Sequence, residues 1–155
     1  MPALTYLDNN ATTPPSERAL ARMREVYASA YGNSSSHHSL GESARDALEE
    51  SRGRIAEGFG NPHRVIFTSG CTEANLLCIE GALRHPESPF QQLVVSDLEH
   101  SSVHGFLEMP MPVAVASCRA SKDGTPDLGR LKELVSAGRS LVSMMHVNNE
   151  TGVIF

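Results

Sequence analysis

The chain has 155 residues, enough for one ordinary domain, and its 40% hydrophobic and 20% charged content is that of a soluble globular protein. Its formal net charge of −5 argues against a nucleic-acid partner, because phosphate backbones are held by clustered Lys and Arg, and here Arg52 and Arg54 are diluted by Glu49, Glu50 and Glu57. No apolar run approaches the roughly 18 residues of a membrane span, and the first residues lack the basic start and apolar stretch of a signal peptide.

In chain order, residues 1–14 read as an extended arm ending at Pro14 and Pro15. Ser16 is placed to cap a helix in which Leu20, Met23 and Tyr27 recur at helical spacing. Residues 32–39 form a polar Gly/Asn/Ser/His loop. A second helix is expected over residues 40–58, with Leu40, Ala44, Ala47, Leu48 and Ile55 on one side, ended by Gly60, Asn61 and Pro62.

The period then changes. Residues 65–68 read as a short apolar strand, turning through Ser69 and Gly70 into a helix over 72–83. Residues 93–97 form a second strand, followed by a helical segment after His100. Residues 112–117 form a third strand, Asp127 caps a helix closed by Gly138, and residues 141–146 form a fourth strand. Strands alternating with helices indicate an α/β layout with a largely parallel sheet. Covering both faces of such a sheet takes more helices than these 155 residues supply, so the chain is read as a fragment, or as one piece of an assembly.

Several loops carry chemistry. In VIFTSGCTEAN (65–75) a strand leads through Gly70 into a helix start, whose first N–H groups lack intrahelical partners. With the helix dipole and the Thr72 hydroxyl this can hold a phosphate. The alternative is an ordinary turn with Ser69 or Thr72 as cap. The pattern is neither a P-loop nor a GxGxxG fingerprint.

His100, in SDLEH (96–100), ends the second strand, where open α/β sheets place their ligands. The alternative is a surface histidine. His100 and His104 are spaced i, i+4, but no third ligand accompanies them, so no metal site is assigned. HVNNETG (146–152) follows the fourth strand, and its adjacent amides either fix a polar ring substituent or shape a polar loop. NNATTP (9–14) reads as a turn with Asx and Ser/Thr hydrogen bonds.

Taken in order, YLDNNATTP (6–14), GNSSSHHSLG (32–41), FTSGCTEAN (67–75), His100 and HVNNETG (146–152) resemble the N-terminal part of pyridoxal-phosphate (PLP) enzymes of aminotransferase class V. The resemblance is nearest to cysteine desulfurases of the NifS/IscS type, and sister enzymes such as selenocysteine lyases are separated less well. It implies part of a fold-type I large domain, a mostly parallel sheet flanked by helices. The organisation would be an N-terminal arm at 1–14, a helical segment with an active-site loop at 15–60, and an incomplete PLP-binding α/β domain at 61–155.

By the same resemblance, backbone N–H groups near Cys71 and Thr72, with the Thr72 hydroxyl, would hold the PLP phosphate. His100 would stack on the PLP ring and assist proton transfer, and Asn149 would hydrogen-bond the ring 3′-oxygen. Asn10 and Ala11 are the candidates on the substrate side. Cys71 occupies a variable position and is read as a small buried filler. Ser34 stands where the family pattern GNPSSxHxxG has proline, which loosens the loop, and His38 falls on the histidine.

The implied reaction takes sulfur from L-cysteine, leaving L-alanine and an enzyme persulfide. A homodimer and a sulfur-acceptor protein are the implied partners, and a reducing cytoplasm suits three widely spaced cysteines. PLP chemistry also needs a lysine and an acidic partner for the ring nitrogen. Lys122 and Lys132 lie in no matching motif and read as solvated surface lysines. Cys78 and Cys118 do not match the persulfide cysteine. A second reading is therefore kept, a non-catalytic chain that binds a partner or the PLP phosphate only.

Overall fold

A computed structural model describes residues 5–60 and 64–155. Its contacts divide into two compact units, Met1–Phe67 and Thr68–Phe155.

In the first unit the arm folds back on itself. The Ala11 and Thr12 amides donate to the Asp8 carbonyl at 3.1 and 3.3 Å, and Tyr6 Oη lies 2.7 Å from Thr12 Oγ1. Helix α1, Glu17–Ser29, starts where Ser16 Oγ accepts the Ala19 N–H at 3.2 Å. Helix α2, Ser39–Gly58, starts at His38, whose Nδ1 accepts the Gly41 N–H at 3.3 Å.

The loop between them is tied down at several points. Asn33 Oδ1 accepts the Ser35 amide at 2.9 Å, and Arg45 donates to the Ser34 carbonyl at 2.8 Å. A Cβ on Gly32 would come within 2.3 Å of the Leu40 carbonyl oxygen, so only glycine allows this close approach. The loosening expected from Ser34 is thus offset by the Arg45 bond. Helix α2 ends as expected at Gly58, and Gly60 turns the chain with φ +59°. Asn61 and Pro62, the rest of that stop signal, lie outside the described residues.

The strand expected at residues 65–68 does not form; these residues have no strand pairing. The side chain of Arg52 takes the Val65 carbonyl, and its guanidinium lies 4.9 Å from the Phe67 ring centroid. That holds the backbone to helix α2 instead of to a sheet, with Ile66 63% exposed.

In the second unit, helix α3 (Cys71–Arg84) precedes strand β1 (Gln92–Ser96). Short helix α4 (Ser101–His104) runs into a 3-10 turn (Gly105–Leu107), followed by strand β2 (Ala114–Cys118), helix α5 (Leu128–Ser136) and strand β3 (Ser140–Ser143). The sheet is parallel with order β2-β1-β3. Asp127 caps α5 as expected, its Oδ1 accepting the Arg130 N–H at 2.9 Å.

β1 is central, and Leu93, Val94 and Val95 are fully buried. An apolar run without alternation is what a strand covered on both faces requires. Leu93 and Val95 join Ile79 and Leu83 of α3, Val103 and Phe106 in one core. Each such side chain contributes about 1.5–3 kcal/mol by leaving water. No helix among the described residues is long and apolar enough to cross a membrane.

Candidate active site

Parallel pairing explains how distant residues meet. β1 and β3 are hydrogen-bonded neighbours, with Leu93 opposite Leu141 and Val95 opposite Ser143. Their carboxyl ends therefore emerge side by side, β1 into residues 97–100 and β3 into residues 144–152. Between them lies a cleft of about 360 Å³, lined by His100 and Asn149 with Asp97, Glu99, Ser101 and Glu150 in its walls. His100 and Asn149, expected from sequence to serve one ligand, thus share one cavity at the carboxyl end of the sheet.

Asn148 builds this arrangement. It is only 9% exposed and uses both ends of its amide. Nδ2 donates to the Leu98 carbonyl at 3.1 Å, and Oδ1 accepts the Glu150 and Thr151 N–H groups at 3.0 and 2.9 Å. The loop closes through a Val147–Ile154 bridge and a Gly152 to Asn148 backbone bond of 2.8 Å, with Gly152 at φ +73°. Ser143 Oγ adds a 2.9 Å bond to Glu99 Oε1. Asn148 shapes the turn, and Asn149 is left exposed toward the cleft.

His100 caps α4. Its Nδ1 accepts the Ser102 N–H at 3.1 Å and lies 2.9 Å from Ser102 Oγ. Asn75 of α3 donates to the same Ser102 Oγ at 2.9 Å. His104, its i, i+4 neighbour, pairs through Nε2 with the Asp97 carbonyl at 3.0 Å.

Cys71 and Thr72 do not line the cleft. They open α3, where no side chain caps the helix start. Glu73, which could otherwise fold over these amides, is held on Ser69: its Oε2 accepts both the Ser69 N–H and hydroxyl at 2.6 Å. Those bonds, the hydroxyl's first, hold the Glu73 carboxyl below its ordinary pKa. A Cβ built on Gly70 would meet nothing within 4 Å, so the approach to the helix start is open.

Cys71 is exposed, which corrects its reading as a buried filler. The first turn of α3 lies beyond the stretch that packs, since its buried residues are Ile79 and Leu83. Cys118 is buried at the end of β2, where burial and then Asp127 and Asp97 push its thiol pKa up. Lys122 and Lys132 are exposed and outside the cleft. Asn10 and Ala11 lie in the exposed turn of the first unit. Asn75 and Ser102 were assigned no role from sequence; the only local signal was the i, i+4 spacing of Asn75 from Cys71.

Comparison with known proteins gives the family. Residues 5–155 match the aminotransferase class-V family, and the chain belongs to that family. It is 35% identical over 155 residues to a cysteine desulfurase IscS of Anaeromyxobacter sp. (strain Fw109-5), covering 96% of this chain and 38% of that protein. It is 37% identical to a mitosomal cysteine desulfurase of Trachipleistophora hominis, covering 99% of this chain and 36% of the relative.

Among solved structures, a NifS-like protein superposes with a TM-score of 0.80 at 31% identity, over 94% of this chain and 41% of its own. SspA, solved in complex with cysteine, superposes with a TM-score of 0.78 at 27% identity, over 97% and 44%. The chain thus spans about two fifths of the length of the relatives it matches. The fold is part of a fold-type I large domain.

Proposed function

We propose that these residues form part of a PLP-dependent cysteine desulfurase. The observation that carries this reading is the shared cleft of His100 and Asn149 at the carboxyl ends of β1 and β3. The donor set fits PLP. The uncapped start of α3, with open space over Gly70, offers amides to a phosphate. The cleft, walled by Asp97, Glu99 and Glu150, suits the ring side of the cofactor better than its phosphate.

When bound, PLP supplies an electron sink for bond cleavage next to an amino acid's α-carbon. The chain's residues do the rest. Backbone N–H groups at Cys71 and Thr72, with the Thr72 hydroxyl, bind the phosphate. His100 would stack on the ring and hold a proton at its imidazole. Asn149 donates to the ring oxygen. Asn10 and Ala11 belong to the substrate side. The net reaction is L-cysteine plus an enzyme thiol giving L-alanine plus an enzyme persulfide. The thiol, the cofactor's lysine and its aspartate are supplied from beyond these residues.

In this reading residues 1–14 are an arm, 15–60 a helical segment and 61–155 an incomplete PLP-binding domain. The working protein is a cytoplasmic homodimer that passes sulfur to an acceptor protein. The test is alanine production from L-cysteine by the whole protein and by His100→Ala. Loss of a general acid–base group lowers turnover by about 100-fold or more; unchanged turnover would remove His100 from the mechanism.

One observation favours the non-catalytic reading for these residues alone: both lysines are exposed and outside the cleft. Borohydride reduction with stoichiometric PLP, followed by peptide mapping, separates the two. One equivalent on a lysine of the whole protein supports the enzyme, and scattered or absent label supports the binding-only chain.

A further inference from the structure

We propose that Ser102, held in place by Asn75, is a positioning residue for His100 that closes Nδ1 and leaves Nε2–H as the ring position facing a ligand. This inference rests on the desulfurase reading and deepens it.

The hydrogen bonds fix the direction. A backbone N–H can only donate, so the Ser102 amide at 3.1 Å makes His100 Nδ1 an acceptor. A neutral imidazole then carries its proton on Nε2. The Ser102 hydroxyl lies 2.9 Å from the same Nδ1. Asn75 Nδ2 donates to a lone pair of that hydroxyl at 2.9 Å, so the O–H proton is turned toward His100. Asn75 Nδ2 also lies 3.6 Å from Cys71 Sγ, a second contact that orients its amide.

Two donors on one ring nitrogen also fix the plane of the ring. Nε2 makes no hydrogen bond among the described residues, while His100 lines the cleft. The ring edge therefore meets substrate as a hydrogen-bond donor, while its face is left to stack on the cofactor. The Asn75 link has a further consequence. Asn75 sits one helical turn after Cys71 on α3, so one chain of bonds ties the candidate phosphate-binding helix start to the ring that would stack on the same cofactor. Both Asn75 and Ser102 are half-buried, where a hydrogen bond holds its geometry better than in open solvent.

The experiment uses the whole protein. Long-range proton–nitrogen NMR reads the tautomer of His100, assigned by loss of its signal in His100→Gln. The wild type is expected to show a bare Nδ1 and a protonated Nε2. In Ser102→Ala the amide still donates to Nδ1 but the hydroxyl is lost, so the two nitrogen shifts move part of the way toward each other. The kcat for L-cysteine falls by roughly five- to tenfold with KM nearly unchanged, the worth of about one hydrogen bond. Ser102→Thr keeps the hydroxyl and restores both, and Asn75→Ala moves both in the direction of Ser102→Ala by less.

A protonated Nδ1 in the wild type overturns the proposal, as does a Ser102→Ala protein with unchanged shifts or unchanged kcat. The NMR reading needs no turnover. A protein with the expected tautomer that neither binds PLP nor converts cysteine therefore overturns the desulfurase reading, and the assigned role with it, while the hydrogen bonds stand.

Discussion

The side-chain amide of Asn148 donates to the carbonyl of Leu98 at 3.1 Å, across 50 residues of sequence. That bond joins the loop after β3 to the loop after β1 and sets Asn149 beside His100 in one cleft. Replacing Asn148 by alanine would leave the Glu150 and Thr151 amides and the Leu98 carbonyl without this partner. The expected cost is about 1–3 kcal/mol in urea unfolding. PLP affinity is expected to fall as well, because Asn149 loses its support.

Gly70 has φ 166°, extended backbone that any residue adopts, and a Cβ there would touch nothing. Gly70→Ala is therefore expected to leave the unfolding midpoint within about 0.5 kcal/mol of wild type. It should nonetheless weaken PLP binding by tenfold or more, because the new methyl group sits where a phosphate would approach. Unchanged PLP affinity, measured by titration, would place the phosphate elsewhere.

The Ser69–Glu73 turn should respond to acid. The carboxyl of Glu73 is held below its ordinary value by the Ser69 hydroxyl and amide. The folded state thus favours the carboxylate. Its contribution is complete above the pKa of an unfolded glutamate and is lost as pH falls through the lower folded value. The Ser69 amide signal, followed by NMR from neutral pH down through the carboxylate range, is expected to shift only at the acid end, and Glu73→Gln should abolish the step.

Cys118 shows the opposite sign. Burial and two carboxylates raise its thiol pKa. The folded state holds this proton more tightly, so the stabilisation is full below the unfolded thiol's pKa and lost as pH rises through the folded one. Iodoacetamide at neutral pH is expected to spare Cys118 in the native protein and to label it in urea. Native labelling of Cys118 would contradict its burial.

Local signals in the sequence were enough for the elements that are built locally. Ser16 and Asp127 lie where they cap α1 and α5, because capping involves only residues three positions apart. The positions of His100 and Asn149 at strand ends were legible for the same reason. Their meeting follows from the order β2-β1-β3, which no local pattern encodes. The apolar run at 65–68 looked like a strand, yet its fate depends on Arg52, 13 residues earlier, taking the Val65 carbonyl. Ser34 read as a loosened loop because Arg45, 11 residues away, was invisible as its partner. The exposure of Cys71 likewise depends on which turns of α3 pack, and only Ile79 and Leu83 do. Asn75 ends the FTSGCTEAN motif, yet neither its role nor that of Ser102 was legible, since their link spans 27 residues.

The central claim is that the start of α3, His100 and Asn149 serve one cofactor. The most direct measurement is a crystal structure of the whole protein with PLP bound. The expected result has the phosphate on the amides at Cys71 and Thr72, the ring against the His100 imidazole, and Asn149 within hydrogen-bond distance of the ring 3′-oxygen. PLP held with none of these three contacts would contradict it.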